Sequence, residues 1–253
     1  MNHAGPGGQF FVDVTFNGGD DDDALRVLEG TADTITYTPN AGSGATARGT
    51  IVIEDTDTQT ITFTGLEPTL VTTQAATVVI DLSSTPGDTV TFSDDVNVND
   101  DRSLVAFNNV IHEDLVFTNP TDTLRVIGSA SVDTLVFNAL DAQFDADVDV
   151  SDAGAGNDVI NLNVTTGTTN TYSVNGGDDD DTINIASGLT RPITIDGGAD
   201  NDTIVGNNDA LTYNITGANA GNIDGVGVVD FTSVENLTAG TSADDFIFAA
   251  AGS

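Results

Sequence analysis

The sequence predicts an all-β fold, a parallel β-solenoid (β-helix) with coils of about 20–23 residues. Three observations predict it. Short strand-like units recur along the chain, each an aspartate and a threonine followed by alternating apolar residues: Asp33-TITY, Asp88-TVTF, Asp122-TLRV, Asp133-TLVF, Asp181-TINI and Asp202-TIV. Asp forms turns and period-two alternation marks a strand with one buried face, so each unit reads as a turn feeding a strand. Two Gly-Gly turns, Gly176-Gly177 and Gly197-Gly198, stand one coil apart in similar surroundings. Finally, an ordered block occurs twice. FNGGDDDDALRV, GTADTITY and FTGLE over 16–67 are answered by IDGGADNDTIV, GNNDALTY and FTSVE over 195–235, with a separate copy of the first part, VNGGDDDDTIN, at 174–184. Sub-motifs recurring in fixed order signify repeat architecture, and one turn type at one phase favours stacked coils over hairpins of varied turn type.

Taken in order, residues 1–15 read as a lead-in strand and 16–67 as the first repeat block. Within that block NAGSGATARG, Asn40 to Gly49, reads as a loop on one coil, answered by the shorter GANAGN at 217–222. Residues 68–150 keep the strand-and-turn rhythm without Gly-Gly turns and read as less regular coils of the same solenoid. Residues 151–205 carry the acidic glycine turns, 195–235 form the overlapping second block, and 236–253 begin a following, incomplete repeat. TVVIDL and DFIFAAA read as core strands. Phe-x-x-(Leu/Val)-Glu, ending at Glu67 and Glu235, reads as a strand end whose glutamate satisfies a backbone or turn group. The two blocks define a long unit of about 170–180 residues. The chain therefore reads as a segment that stacks on neighbouring repeats, or as a subunit that stacks head-to-tail with copies of itself.

Composition narrows the function classes. Only five of the 40 acidic residues are Glu (Glu29, Glu54, Glu67, Glu113 and Glu235), so Asp dominates, which suits turns rather than helical charge pairs. The five basic residues are all Arg, and the formal charge is −35. That charge repels phosphate backbones and anionic lipid, which argues against nucleic acid and membrane insertion, and it makes cations the natural counterparts. With no cysteine, disulfide and thiolate chemistry are excluded. MNHAGPGGQ lacks the basic start and apolar stretch of a secretory signal, so export of this chain would use a signal outside it or another route.

The stretches Gly18-Gly19-Asp20-Asp21-Asp22-Asp23-Ala24-Leu25, 176–183 and 197–204 resemble the calcium-binding nonapeptide repeat of RTX proteins. The family's aspartate falls at Asp23, Asp181 and Asp202, and its apolar residue at Leu25, Ile183 and Ile204. Each copy departs from the pattern by placing Asp21, Asp179 or Asp200 where the third glycine belongs. A weaker match at 153–160 keeps that glycine, as Gly156, and has its aspartate at Asp158. The resemblance implies Ca²⁺ as cofactor, held around Gly176, Gly197, Asp178, Asp179, Asp181, Asp200, Asp202, Asp158, Asp21 and Asp23. Stacking supports this, because coils ~4.8 Å apart bring like charges together that need neutralising, and Ca²⁺ takes six to eight oxygens in flexible geometry. Solvent-facing turn caps are the plainer alternative. FTGLEP, FTSVENL, GTADTITY and GNNDALTY further resemble repeats of very large bacterial surface and filamentous-adhesin-like proteins. That likeness implies an extracellular or cell-surface location and a structural or adhesive role.

Catalysis is not expected. The candidate carboxylates would be Asp145, Asp147, Asp149 and Asp152 in DADVDVSD, of which Asp145, Asp147 and Asp149 alternate with Ala146, Val148 and Val150 and so share one strand face. Such a face could bind or cleave a cell-surface polysaccharide, but there is no Trp and no Lys to complete a sugar site. His3 falls in the N-terminal segment, and His112 reads as a surface residue or a partner of Glu113 or Asp114. The acidic glycine turns are wrong for phosphate. The expected function is a calcium-stabilised, non-enzymatic rod, with a self-assembling filament or surface-layer subunit and a carbohydrate-binding solenoid as alternatives.

Overall fold

The computed structural model describes residues 12–18, 23–39, 48–66, 69–108, 112–163, 170–225 and 228–249. All 23 of its strands fall into two sheets, one of 13 strands and one of ten, mostly parallel and stacked along the chain in a solenoid-like arrangement. β-branched residues and period-two alternation produce this. Each coil places one strand in each sheet and turns its apolar residues inward.

In the regular part, the first sheet stacks Gln74–Asp81, Thr123–Ser129, Asp147–Gly154, Tyr172–Gly177, Ile193–Gly198 and Val228–Thr232 in parallel. The second stacks Thr89–Asp94, Thr134–Phe137, Val159–Leu162, Thr182–Ile185, Thr203–Val205 and Asn236–Thr238. Register turns the alternation into columns. Val78, Leu124, Val148, Tyr172, Ile193 and Val229 line up in the first sheet. Val90, Leu135, Ile160, Ile183, Ile204 and Leu237 line up in the second. Phe92 and Phe137 stack at 4.6 Å between adjacent coils, an offset-stacking distance that adds to their area burial.

Both repeat blocks depart from simple coils in the same way. In the first, Thr31–Pro39, Arg48–Glu54 and Thr58–Thr64 form an antiparallel meander. Its last strand returns beside Val14–Asn17, while its first pairs with Gln74–Asp81. In the second, Thr212–Gly217, Ala220–Asp224 and Val228–Thr232 do the same, returning beside Ile193–Gly198 and offering Thr212–Gly217 to Asp245–Phe248. Equivalent residues hold equivalent registers: Tyr37 faces Ile51 and Tyr213 faces Ile223. A third meander, Thr89–Asp94, Arg102–Phe107 and Leu115–Thr118, lies in the second sheet and covers the first block.

These meanders correct two expectations. NAGSGATARG connects antiparallel strands rather than forming a coil corner, and its Arg48 and Gly49 already belong to a strand; residues 40–47 lie outside the described residues. Period-two alternation is identical in parallel and antiparallel strands, so it could not reveal the reversal. Coils of 20–23 residues describe only part of the stack. Matching turn residues are 45, 25, 23, 21 and 33 apart from Asp88 through Glu235, the 33-residue interval being the one that contains the second block's meander. DFIFAAA is also not a core strand, since Phe246 and Phe248 of Asp245–Phe248 are 43% and 73% exposed at the end of the sheet.

Arg191 is the exception inside the apolar columns. It is buried with its guanidinium 5.3 Å from the centre of the Tyr172 ring, and none of its three side-chain nitrogens has a hydrogen-bond partner. A buried cation without hydrogen bonds is held at a desolvation penalty that a hydrophobic residue of similar volume avoids. Arg191→Met is therefore expected to be neutral or to stabilise by about 1 kcal/mol, read from the urea midpoint at unchanged m-value. A loss above about 2 kcal/mol would show that the cation–π contact outweighs that penalty.

A buried aspartate ladder as candidate functional site

The residue before each of the six stacked second-sheet strands from Thr89–Asp94 to Asn236–Thr238 is acidic: Asp88, Asp133, Asp158, Asp181, Asp202 and Glu235. Each side chain after Asp88 accepts a hydrogen bond from the backbone N–H of its counterpart one coil earlier. Asp133 Oδ1 accepts from Asp88 at 3.0 Å, Asp158 Oδ1 from Asp133 at 2.6 Å and Asp181 Oδ1 from Asp158 at 2.7 Å. Asp202 Oδ1 accepts from Asp181 at 2.9 Å, and Glu235 Oε2 from Asp202 at 2.8 Å. The backbone ladder continues one residue on, where Thr182 N–H donates to Asp158 C=O and Thr203 N–H to Asp181 C=O. At one end Asp88 meets the buried His112 at 3.0 Å, and at the other Asn219 Nδ2 donates to Glu235 Oε1.

This placement corrects the sequence-based assignments. His112 is buried and pairs with Asp88, not with Glu113 or Asp114. The chain folds Thr89–Asp94 back through Arg102–Phe107 to bring these two together, a long-range contact with no local signal. Asp158, Asp181 and Asp202 are not solvent-facing caps but are fully buried, and so is Asp133. The glutamate of FTSVE satisfies a turn group as expected, because Glu235 takes the Asp202 amide; Glu67 and Asp21 lie outside the described residues.

The glycines make room for the ladder. A Cβ on Gly176 would lie 2.5 Å from Asp181 Oδ2, and one on Gly197 would lie 2.6 Å from Asp202 Oδ2. Gly18 packs against Asp23 in the same manner in the first block. Asp179 and Asp200, which replace the expected third glycine, have φ of 77° and 76°, while Gly156 at that place in the weaker copy has φ of 108°. Asp tolerates this left-handed region better than most residues because its short side chain bonds locally. Here Asp179 Oδ2 accepts from Gly156 N–H at 3.0 Å, and Asp180 Oδ1 accepts from Asn201 N–H at 2.9 Å.

Beside the ladder, a polar groove of about 460 Å³ runs along the glycine corners, lined among others by Asp152, Asp178 and Asp196. Among the described residues no three acidic or histidine side chains gather as a metal shell. The alternating Asp145, Asp147 and Asp149 do stand opposite the buried Ala146, Val148 and Val150. Asp147 Oδ1 accepts from Thr171, and Asp149 pairs with Arg125 at 2.9 Å, so these carboxylates join coils.

Three of the ladder carboxylates, Asp158, Asp181 and Asp202, hold protons unusually tightly. Burial, then the neighbouring carboxylates, push Asp158 up to about 8 and Asp181 to about 7, against the partial relief of the N–H bonds they accept. Asp202 is raised for the same reasons. The second oxygens of Asp158, Asp181 and Asp202 are buried with no hydrogen-bond partner in the protein, which favours their binding a proton or a cation. Asp181→Ala removes the acceptor of the Asp158 amide and is expected to destabilise by about 1–3 kcal/mol. Asp181→Asn keeps Oδ1 without the charge and is expected to match the parent at pH 5 and exceed it at pH 9. Equal losses for both variants at pH 9 would refute the charge argument.

Comparison of the chain with protein families, with curated proteins and with solved structures finds no match. The ladder and the acidic glycine turns therefore rest on their own geometry.

Proposed function

We propose that the chain is a parallel β-solenoid serving as a non-enzymatic structural or adhesive rod segment of a secreted or cell-surface repetitive protein, with calcium stabilising its acidic glycine turns. The observation that carries this is the unbroken ladder from Asp88 to Glu235, which ties six coils together along their stacking direction by side-chain bonds beyond the sheet ladders. Stacked units of this kind resist separation all along their length and suit a spacer or rod.

Calcium is supported by the unsatisfied ladder oxygens and by the carboxylates of Asp152, Asp178 and Asp196 along the adjoining groove. With no shell of three such side chains among the described residues, backbone oxygens would complete the coordination, as Ca²⁺ readily accepts. Bound calcium would supply positive charge to the turns and stabilise the folded state in proportion to its occupancy. Millimolar calcium is expected to raise the melting temperature by several degrees where equal magnesium does not, and EDTA to reverse the rise; an EDTA-insensitive, calcium-insensitive melt removes the calcium part. Reducing-sugar release from cell-surface polysaccharides by the purified chain would overturn the non-enzymatic reading.

A further inference from the structure

We propose that the groove over the second repeat block is a docking surface for a three-stranded β-meander of polypeptide, of the kind that residues 89–118 lay over the first block. Among the described residues, the two sheets begin level at the N-terminal end, with Val14–Asn17 in one and Leu25–Val27 in the other. At the C-terminal end they do not. The second sheet stops at Asn236–Thr238, while the first continues through Ala220–Asp224, Thr212–Gly217 and Asp245–Phe248. Three strand places in the second sheet thus have no strand among the described residues.

The first block shows what fills those places. Its strand Thr69–Val71, the counterpart of Asn236–Thr238, pairs on its far side with Leu115–Thr118. That strand belongs to the meander whose Phe107 ring packs edge-on to Tyr37. The chain leading into that strand supplies the Glu113 carbonyl, which accepts from the Tyr37 hydroxyl at 2.6 Å. Tyr213 occupies the same place as Tyr37, and its hydroxyl is buried with no partner. Ile80 and Leu82, under the cover, are 0% and 1% exposed, whereas their counterparts Phe246 and Phe248 are 43% and 73% exposed.

The uncovered groove has a volume of about 320 Å³ and is lined by Ile215, Phe231, Leu237, Phe246 and Phe248. It continues the core that runs between the sheets, since Leu237 ends the second-sheet column and Phe231 pairs with the inward-facing Ile195 of the first sheet. The occupant is therefore a polypeptide of three short alternating strands. One strand pairs parallel to the open edge of Asn236–Thr238, apolar side chains at alternate positions fill the groove, and a main-chain carbonyl receives the Tyr213 hydroxyl. A level end, such as the one formed by Val14–Asn17 and Leu25–Val27, cannot fill a three-strand step, so a second copy stacking by that end is the poorer fit.

The test extends the full chain after Ser253 with a copy of residues 83–119 and follows backbone hydrogen exchange. The expected result is at least tenfold slower exchange at the amides of 236–238, protection within the added strands, and a higher melting temperature. A control extension with Asp in place of the residues copied from Phe92, Val105 and Phe117 should give none of these. Unchanged exchange at 236–238 with a freely exchanging extension overturns the proposal. So does self-association of the unextended chain in sedimentation that Leu237→Asp abolishes, because the groove then serves a second copy.

Discussion

Without divalent cations, the melting temperature of this protein is expected to fall by roughly 20 °C or more as pH rises from 4 to 8, and to change little above 8. Asp158 and Asp181 titrate at about 8 and about 7 in the folded chain and near the ordinary carboxylate value once unfolded. Between those limits the folded chain holds protons that the unfolded chain has released. Stability is therefore fully present below about pH 4, declines by ~1.4 kcal/mol per pH unit for each group still protonated in the fold, and is lost above the folded values. General repulsion from a formal charge of −35 acts in the same direction, but salt screens it. A decline that survives 0.5 M salt and disappears in the Asp158→Asn, Asp181→Asn double variant belongs to the ladder. A profile that is flat or rising between pH 5 and 8 would remove the buried-carboxylate account. Calcium is expected to help most at pH 8, where the protons have gone.

Gly198→Ala is expected to be among the most damaging single methyl additions, destabilising by about 4 kcal/mol or more. Gly198 has φ of 109°, outside the comfortable range of L-residues, and a Cβ there would lie 2.0 Å from the Gly177 carbonyl oxygen. Backbone on both sides is locked into parallel pairing by Gly177 and Gly198 themselves, so neither coil can retreat without breaking rungs. Gly188 separates strain from collision: it too has positive φ, 75°, but a methyl group added there would meet nothing within 4 Å. Gly188→Ala should cost only about 1 kcal/mol. Similar losses at both sites, measured by chemical denaturation, would show that the coils give way at Gly198 and that collision adds nothing to backbone strain.

Sequence patterning carried the strand content, the inward faces and the equivalence of the two blocks, because alternation and turn residues act locally. Val148 and Val150 went inward and Asp147 outward as their spacing required. What it could not carry was strand direction, so the meanders of both blocks were read as coils. It also misplaced the ladder. Asp ahead of Thr reads as a turn residue on general grounds, and burial of Asp133, Asp158, Asp181 and Asp202 depends on the next coil arriving at the right height. The regular interval between Asp181 and Asp202 was the available signal, but Asp88 and Asp133 are separated by 45 residues and left none. His112 became legible only through the fold of an intervening meander.

Every rung of the ladder points the same way: an earlier coil donates its amide and a later coil supplies the carboxylate. The bond that finishes a coil is thus delivered by chain made afterwards. A polypeptide emerging from a ribosome or a secretion pore, N-terminus first, closes each coil only when its successor appears, so assembly advances as a front in the direction of synthesis. The leading coil always carries one unanswered amide, and among the described residues the last rung is closed by the longer side chain of Glu235.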